Sequence, residues 1–274
     1  MNDTVISIKS LSKRYFIGHQ AEARERETEL RHVIGHSARR FARKVADAAR
    51  GRQIVQGDEL EEFWALRDVS FEVKRGEVVG IIGRNGAGKS TMLKSLIRNG
   101  TGFVEDADKK FTIDAGDVTW GHEVTVGYFA QDHTESIPHG VKVLEWLHEF
   151  DPKASQEELR GVLGQMLFSG DDALKRTEAL SGGEAARIIF CRLMLQKPNF
   201  LILDEPTNHL DLESINALNI ALQKYDGTVL LVTHDHDVVD EVATRIWHIE
   251  HGKIDDFKGP YSEYLTHTGQ TVVR

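Results

Sequence analysis

The chain has a single cysteine in 274 residues, so no disulfide can form within it and it cannot supply a thiolate zinc cluster. That suits a reducing compartment. Cys191 itself lies in the largely apolar run Ile188–Leu195, where a buried helical position is expected. Long hydrophobic runs are also missing. The longest, around Val79–Ile82 and Val229–Val232, are of strand length, far short of the roughly 18 residues that cross a bilayer, so the chain is not expected to span a membrane. The opening MNDTVISIKS lacks a basic start followed by an apolar stretch and gives no expectation of a secretory signal. An excess of positive charge is absent too. Lys and Arg total 34 against 43 Asp and Glu, a net charge of −9, which excludes a generic nucleic-acid binder.

What remains is ordinary for a soluble globular protein: 40% hydrophobic and 28% charged residues, with length for one large domain or two small ones. The charge is uneven. Arg31, Arg39, Arg40, Arg43, Lys44, Arg50 and Arg52 crowd one stretch, either a solvated helix face or a local partner surface. Residues 17–62 read as a helical insertion, because Leu30, Val33, Ile34, Ala38, Phe41, Val45 and Ala49 recur at helical spacing. That stripe either packs on its own domain or docks on a partner.

The rest alternates short apolar runs with helical stretches. Val5–Ile8 is a strand candidate, and 69–73 and 78–82 flank Lys74, Arg75 and Gly76 as an expected hairpin. Val124–Phe129 is another strand candidate. Residues 141–195 are mostly helical in pattern. Phe200–Leu203 and Thr228–Val232 have the character of buried parallel strands, with Ser214–Lys224 as the crossover helix between them. Arg245–Ile249 and Lys253–Phe257 flank His251-Gly252 as a late hairpin. No internal repeat is present.

Onto this order falls a set of motifs. Gly83-Arg-Asn85-Gly86-Ala87-Gly88-Lys89-Ser90-Thr91 is a phosphate loop between a strand and a helix. Its glycines let backbone N–H groups approach phosphate oxygens, and the helix N-terminus adds a positive dipole end. Lys89 would reach the β- and γ-phosphates, and the Ser90 hydroxyl would bind Mg²⁺. In LILDE, two acids end a buried strand. Asp204 suits the Mg²⁺ shell and Glu205 the alignment and deprotonation of a water. His234, after the run Val229–Val232, could bond the γ-phosphate or that water. His133, His209 and His236 read as incidental.

Together with Gln131 in YFAQD and LSGGE at 180–184, these motifs resemble the ATP-binding cassette ATPases over nearly the whole chain outside 17–62. The resemblance implies one α/β domain over 1–274. It has a mostly parallel sheet, an N-terminal antiparallel β part, a helical signature subdomain at 134–196 and a C-terminal tail at 251–274. It implies ATP and Mg²⁺ as cofactors and a head-to-tail pair of cassettes, a homodimer. Ser181, Gly182 and Gly183 would touch the γ-phosphate held by the opposite subunit's Lys89. Gln131 would touch Mg²⁺ or the lytic water, Asp211 would link the two sites, and Tyr15, with Phe16 as rival, would stack on adenine.

The resemblance divides along the chain. Residues 1–91, with LSKRYF and FWALRDVSFEV, resemble the ATPase subunit of polysaccharide or O-antigen exporters. From 92 on, VGYFAQDH, ALSGGEAARI, LDEPTNHLDLESI and GPYSEYL resemble a cassette of the ABC-F proteins, which act on ribosomes. The unmodified LSGGE departs from the exporter pattern, and the presence of one cassette rather than two departs from the ABC-F pattern, so the chain reads as a hybrid of the two. The first half implies a membrane permease as partner and a cytoplasmic location at the inner face of the membrane. The second implies the ribosome. A nucleotide-switched dimerisation module without turnover is a third reading, against which Glu205 and His234 speak.

Overall fold

A computed structural model describes residues 3–18, 60–98, 111–168, 170–208 and 210–269. Its centre is a six-stranded sheet. In sheet order the strands are β5 (Val126–Phe129), β6 (Phe200–Asp204), β7 (Thr228–Val232), β3 (Val78–Ile82), β8 (Arg245–Glu250) and β9 (Lys253–Phe257). The first five are parallel and β9 runs antiparallel at the edge. The inner strands are buried on both faces, as their continuous apolar runs require. Val229 and Leu231 of β7 pack toward one core, and Leu230 and Val232 toward the other.

The second core holds α1 (Lys89–Arg98) and a three-stranded antiparallel sheet in the order β2 (Leu60–Lys74), β1 (Thr4–Gly18), β4 (Ala115–Trp120). Met92, Leu93, Leu96 and Ile97, on one face of α1, meet Ile6, Ile8 and Leu11 there. The first core holds the helices of the 134–196 region. These are α2 (Val143–His148), α3 (Gln156–Gln165) and α4 (Gly182–Gln196), with three-residue to five-residue 3₁₀ turns between and before them. Cys191 is fully buried among them, and its burial pushes the thiol up to about 12. Helix α5 (Leu212–Gln223) crosses from β6 to β7, α6 (His236–Val242) from β7 to β8, and α7 (Tyr261–His267) packs against β8.

Several expectations change. Strands 69–73 and 78–82 do not form a hairpin: β2 belongs to the small sheet and β3 to the large one, so the turn at Lys74–Gly76 passes the chain between sheets. The strand at Val5–Ile8 runs on to Gly18, with register shifts between Ile8 and Arg14, and pairs with β2 back to Leu60. Residues 17, 18 and 60–62 are therefore strand rather than helical insertion. The helix expected within the insertion lies outside the described residues. Within the stretch from 251, β9 and α7 occupy 253–257 and 261–267. Strand β4 has no counterpart in the sequence reading. The crossover helix and the β8–β9 hairpin are where they were expected, and His251 and Gly252 turn the hairpin with φ of 50° and 73°.

Arg245 binds the two sheets together. Its guanidinium is bidentate to Asp256 (2.7 and 2.6 Å), and it donates to the Glu72 carbonyl (2.8 Å) and to Glu77 (2.9 Å). Trp247 Nε1 adds a bond to Asp256 (3.1 Å). Burial pushes the Asp256 carboxyl up, but its bonds to Arg245 outweigh this and hold it below its ordinary 3.8. Such a group stabilises the fold above pH 3.8 and loses that contribution as pH falls below it. Arg245→Met should cost about 1.5–3 kcal/mol, because the charged hydrogen bonds to Asp256 and Glu77 are lost while both carboxylates stay in reach of water. Chemical denaturation should show this loss, and the Arg245→Met/Asp256→Leu double variant should recover much of it. A single variant as stable as wild type would show the network to be dispensable.

Candidate active site

The ends of β3, β6 and β7 meet at one edge of the sheet. The loop Gly83–Gly88 leaves β3 there and enters α1. It is clamped on both sides. A Cβ on Gly83 (φ 148°) would lie 2.5 Å from the Ile249 carbonyl oxygen, and one on Gly88 (φ 99°) 2.5 Å from that of Ala65. Both positions thus need glycine for space as well as for backbone angle. Arg84, Asn85 and Gly86 are exposed at the tip, Ala87 and Thr91 are half-buried, and Ala87 N closes a turn on the Arg84 carbonyl (3.1 Å).

Lys89 folds back over this loop. Its Nζ donates to the Gly83 carbonyl (2.7 Å) and lies 3.3 Å from His234 Nε2. Burial lowers its pKa, opposed by the charges of Glu205 and Asp204. Ser90 Oγ donates to Asp204 Oδ1 (2.9 Å), while Asp204 Oδ2 is buried with no hydrogen-bond partner. Burial pushes the Asp204 carboxyl up to about 6, against the Ser90 bond and the charges of Lys94 and Lys89. An orphaned carboxylate oxygen beside a serine hydroxyl is an all-oxygen donor set that fits Mg²⁺. Ser90 and Asp204 could hold that ion, which would supply the positive charge this aspartate lacks.

Glu205 sits one residue further, 7% exposed and at φ 53°, a left-handed conformation that costs a non-glycine residue on the order of 1–3 kcal/mol. Its N–H donates to the Val232 carbonyl (2.8 Å). That turn aims its carboxylate at His234, with Oε1 3.2 Å from Nε2 and Oε2 accepting from the His234 N–H (3.3 Å). One nitrogen, Nε2, thus faces both an ammonium and a carboxylate, and its protonation decides which of them it bonds. The His234 side chain is 55% exposed, open to a ligand. Sequence reasoning missed a contact beneath it: Thr207 Oγ1 meets Thr233 Oγ1 at 3.0 Å, joining the turns that carry Glu205 and His234. Both threonines lie inside the motifs, but only the pairing of β6 with β7 makes them neighbours.

The signature residues form a separate group. Ser181 N-caps α4 in a capping box: its Oγ accepts from Glu184 N (3.3 Å), and Glu184 accepts from Ser181 N (2.8 Å). Gly182 and Gly183 then open the helix, where N–H groups have no intrahelical partner. Lys175 donates to Glu184 (2.7 Å) and pairs with Asp172 (2.8 Å), so the acid beside this turn is neutralised and its pKa lowered. Asp211 caps α5 through Ser214 N (2.8 Å) and faces Arg187 of α4 (3.5 Å). Ser181, Gly182, Gly183, Glu184, Arg187 and Asp211 line one open depression of about 390 Å³. Among the described residues no hydrogen bond or ion pair joins this group to Lys89, Asp204, Glu205 or His234.

Gln131 is exposed just beyond β5. Tyr15 is half-buried on β1 opposite Phe63, with Lys13 Nζ 5.2 Å from its ring centre. Phe16 is 47% exposed, with the Arg14 guanidinium 5.5 Å from its ring. The structure thus sets both aromatics two to three residues along the β1–β2 ladder from Ala65, which backs the phosphate loop.

Residues 66–208, just over half the chain, match the family model described as ABC transporter. The chain belongs to this family. It is 41% identical over 205 residues to the probable ATP-binding protein YbiT of Escherichia coli O157:H7, covering 74% of this chain and 37% of that protein. It is 45% identical over 199 residues to the putative ATP-binding protein YdiF of Bacillus subtilis, covering 73% and 29%. To ABC transporter F family member 5 of Arabidopsis thaliana it is 34% identical over 220 residues, covering 78% and 30%. The chain spans about a third of the length of the curated relatives it matches. A dimeric structure of the ATP-binding cassette MJ0796, bound to ADP and Pi, matches with a TM-score of 0.62 at 20% identity, covering 92% of this chain and 98% of that one, which shows the fold.

As an ABC cassette the chain is an ATPase domain, with ATP and Mg²⁺ as its cofactors. Lys89→Ala removes the buried ammonium from the phosphate loop. It should weaken ATP binding by about 10-fold or more, the loss expected for a charged hydrogen bond. Titration with a fluorescent ATP analogue measures this, and unchanged affinity would show that the triphosphate does not rest on Lys89.

Proposed function

We propose that the cassette hydrolyses ATP as a head-to-tail dimer, with each nucleotide enclosed by the phosphate loop of one subunit and the signature turn of the other. One observation carries this reading: the two phosphate-seeking surfaces of a single chain are separate, and each is incomplete. The loop at Gly83–Ser90 holds a lysine that satisfies itself on its own backbone. The turn at Ser181–Gly183 offers helix N-terminal donors over an open depression. Adjacent Leu212 is 79% exposed, as an interface residue would be.

In this reading Lys89 Nζ leaves the Gly83 carbonyl and His234 for the β- and γ-phosphate oxygens. Backbone N–H groups of Asn85–Ser90 hold the same oxygens. His234, released by the ammonium, turns its exposed ring to the γ-phosphate. Glu205, held in place by the strained turn and the Val232 bond, accepts the proton of the attacking water. The products are ADP and phosphate. Ser90 and Asp204, with Gln131, would hold Mg²⁺, which would supply charge stabilisation for the transferred phosphoryl group. Ser181, Gly182 and Gly183 of the opposite subunit complete the anion site, and Asp211 lies at the junction between the two sites. Tyr15 receives the adenine.

The partner driven by this cycle has two readings. Residues 1–91 resemble an exporter subunit, which makes a membrane permease the partner. The similarity to relatives named for the F family, such as ATP-binding cassette sub-family F member 3 of Pongo abelii, favours ribosomal action instead. No helix among the described residues is long and apolar enough to cross a membrane. Co-purification with membranes supports the first reading, and salt-sensitive co-sedimentation with ribosomes the second.

Glu205→Gln keeps the side chain's shape and removes the base. It should trap an ATP-bound dimer on size-exclusion chromatography and lower turnover by about 100-fold or more. A variant that turns over at the wild-type rate would assign the base elsewhere. A monomer under saturating ATP would remove the composite site.

A further inference from the structure

His133 is the one buried residue between Phe129 and Ile137. Gln131, Thr134, Glu135 and Ser136 are exposed, yet His133 is 4% exposed. It opens the 3₁₀ turn His133–Ser136 directly after the Gln131 loop. Its ring lies 4.9 Å from that of Phe129, which stacks at 4.6 Å on Phe190 of the signature helix. Its Nε2 lies 3.4 Å from the carbonyl oxygen of Gly182, the first residue of that helix. A carbonyl only accepts, so Nε2 carries the proton and donates. Nδ1 is buried and has no partner. A phenylalanine would fill the same space without leaving a buried nitrogen unmet, so packing alone does not account for an imidazole here.

We infer that His133 is a positioning residue that ties the Gln131 segment to the signature turn of the same subunit. The inference rests on the composite-site reading above and deepens it. Gln131 faces the nucleotide of its own subunit, while Gly182 faces that of the partner. One residue, Asp132, separates Gln131 from His133, and a single hydrogen bond separates the imidazole from the turn. When Gln131 moves toward a bound triphosphate, the bond at Gly182 sets the orientation of α4 and of its free N–H groups. Filling one site thereby prepares the surface that closes the other. Lys175 also holds the same turn, at Glu184.

His133→Phe keeps the ring against Phe129 and removes the donor, and His133→Gln restores a donor near the Nε2 position. The full chain is assayed for kcat, KM, affinity for a fluorescent ATP analogue and melting temperature. The ATP-dependent dimer is scored in the Glu205→Gln background. For the phenylalanine variant we expect kcat to fall about 10-fold, the scale of a misplaced donor set. Affinity of the dilute, monomeric variant for the analogue should stay within about 2-fold, since the phosphate loop's own contacts are untouched. The dimer should form less readily, the melting temperature should not fall, and glutamine should recover most of the rate. Unchanged kcat in the phenylalanine variant, in a wild type that turns over ATP, overturns the tie. So does equal loss in both variants that follows the melting temperature, which would make His133 a packing residue. A wild type without turnover or ATP-dependent dimer overturns the composite-site reading itself, and the tie with it.

Discussion

The parallel register of β6, β7 and β3 is the constraint on which the rest of the molecule depends. Asp204 is level with Val232, and Val232 with Ile81. That alignment puts the next residues of all three strands at one height. They are Glu205 after β6, Thr233 and His234 after β7, and the phosphate loop after β3. It is fixed by hydrophobic burial rather than by the polar residues that use it. A slip of one residue would turn Leu203, Leu231 and Val78 away from the helical core and Ile202, Leu230 and Val79 away from the other. The site is thus placed by side chains that never touch a ligand, and the energy that holds it is that of the two cores.

At that edge the chain accumulates charges that it does not satisfy by itself. Asp204 has one oxygen with a partner and one without, and burial favours its neutral form. Lys89 is likewise pushed toward neutrality and settles on a backbone carbonyl and an imidazole. Glu205 accepts a strained backbone to reach His234. Each of these is a cost in the free protein, and each is of the sign that a magnesium triphosphate would relieve. The cation would sit at the aspartate, the phosphate anions at the lysine, and a water at the glutamate. The free energy withheld from the resting fold is therefore available to binding and to turnover.

Much of this was legible in the sequence because glycine spacing, paired acids at a strand end and apolar runs are local signals. Phe200–Leu203, Thr228–Val232 and the helix between them needed no tertiary information. The failures have physical causes. Lys74-Arg75-Gly76 signals a reversal, but a turn does not encode which sheet receives the next strand. Strand β4 alternates half-buried with exposed residues and contains Gly116 and Asp117, so its apolar signal is weak. Beyond Ile8, β1 continues through Lys9, Ser10 and Lys13, whose polarity hides a strand held by its partners on both sides. Thr207 with Thr233 and His133 with Gly182 are contacts between distant segments, and no local pattern marks them.

The signature turn poses a problem that the cassette solves with charge. A helix N-terminus attracts anions, but Glu184 in its first turn would repel a triphosphate. That glutamate is not expendable, because it closes the capping box on Ser181. Lys175 meets both demands. Its bond to Glu184 leaves the carboxylate free to cap while offsetting part of its field, and the Asp172 contact fixes the lysine in place. The donors of Gly182 and Gly183 then face outward beside a paired carboxylate rather than a lone anion. A turn so balanced gains little from its own subunit, which suits the role proposed for it at an opposing phosphate.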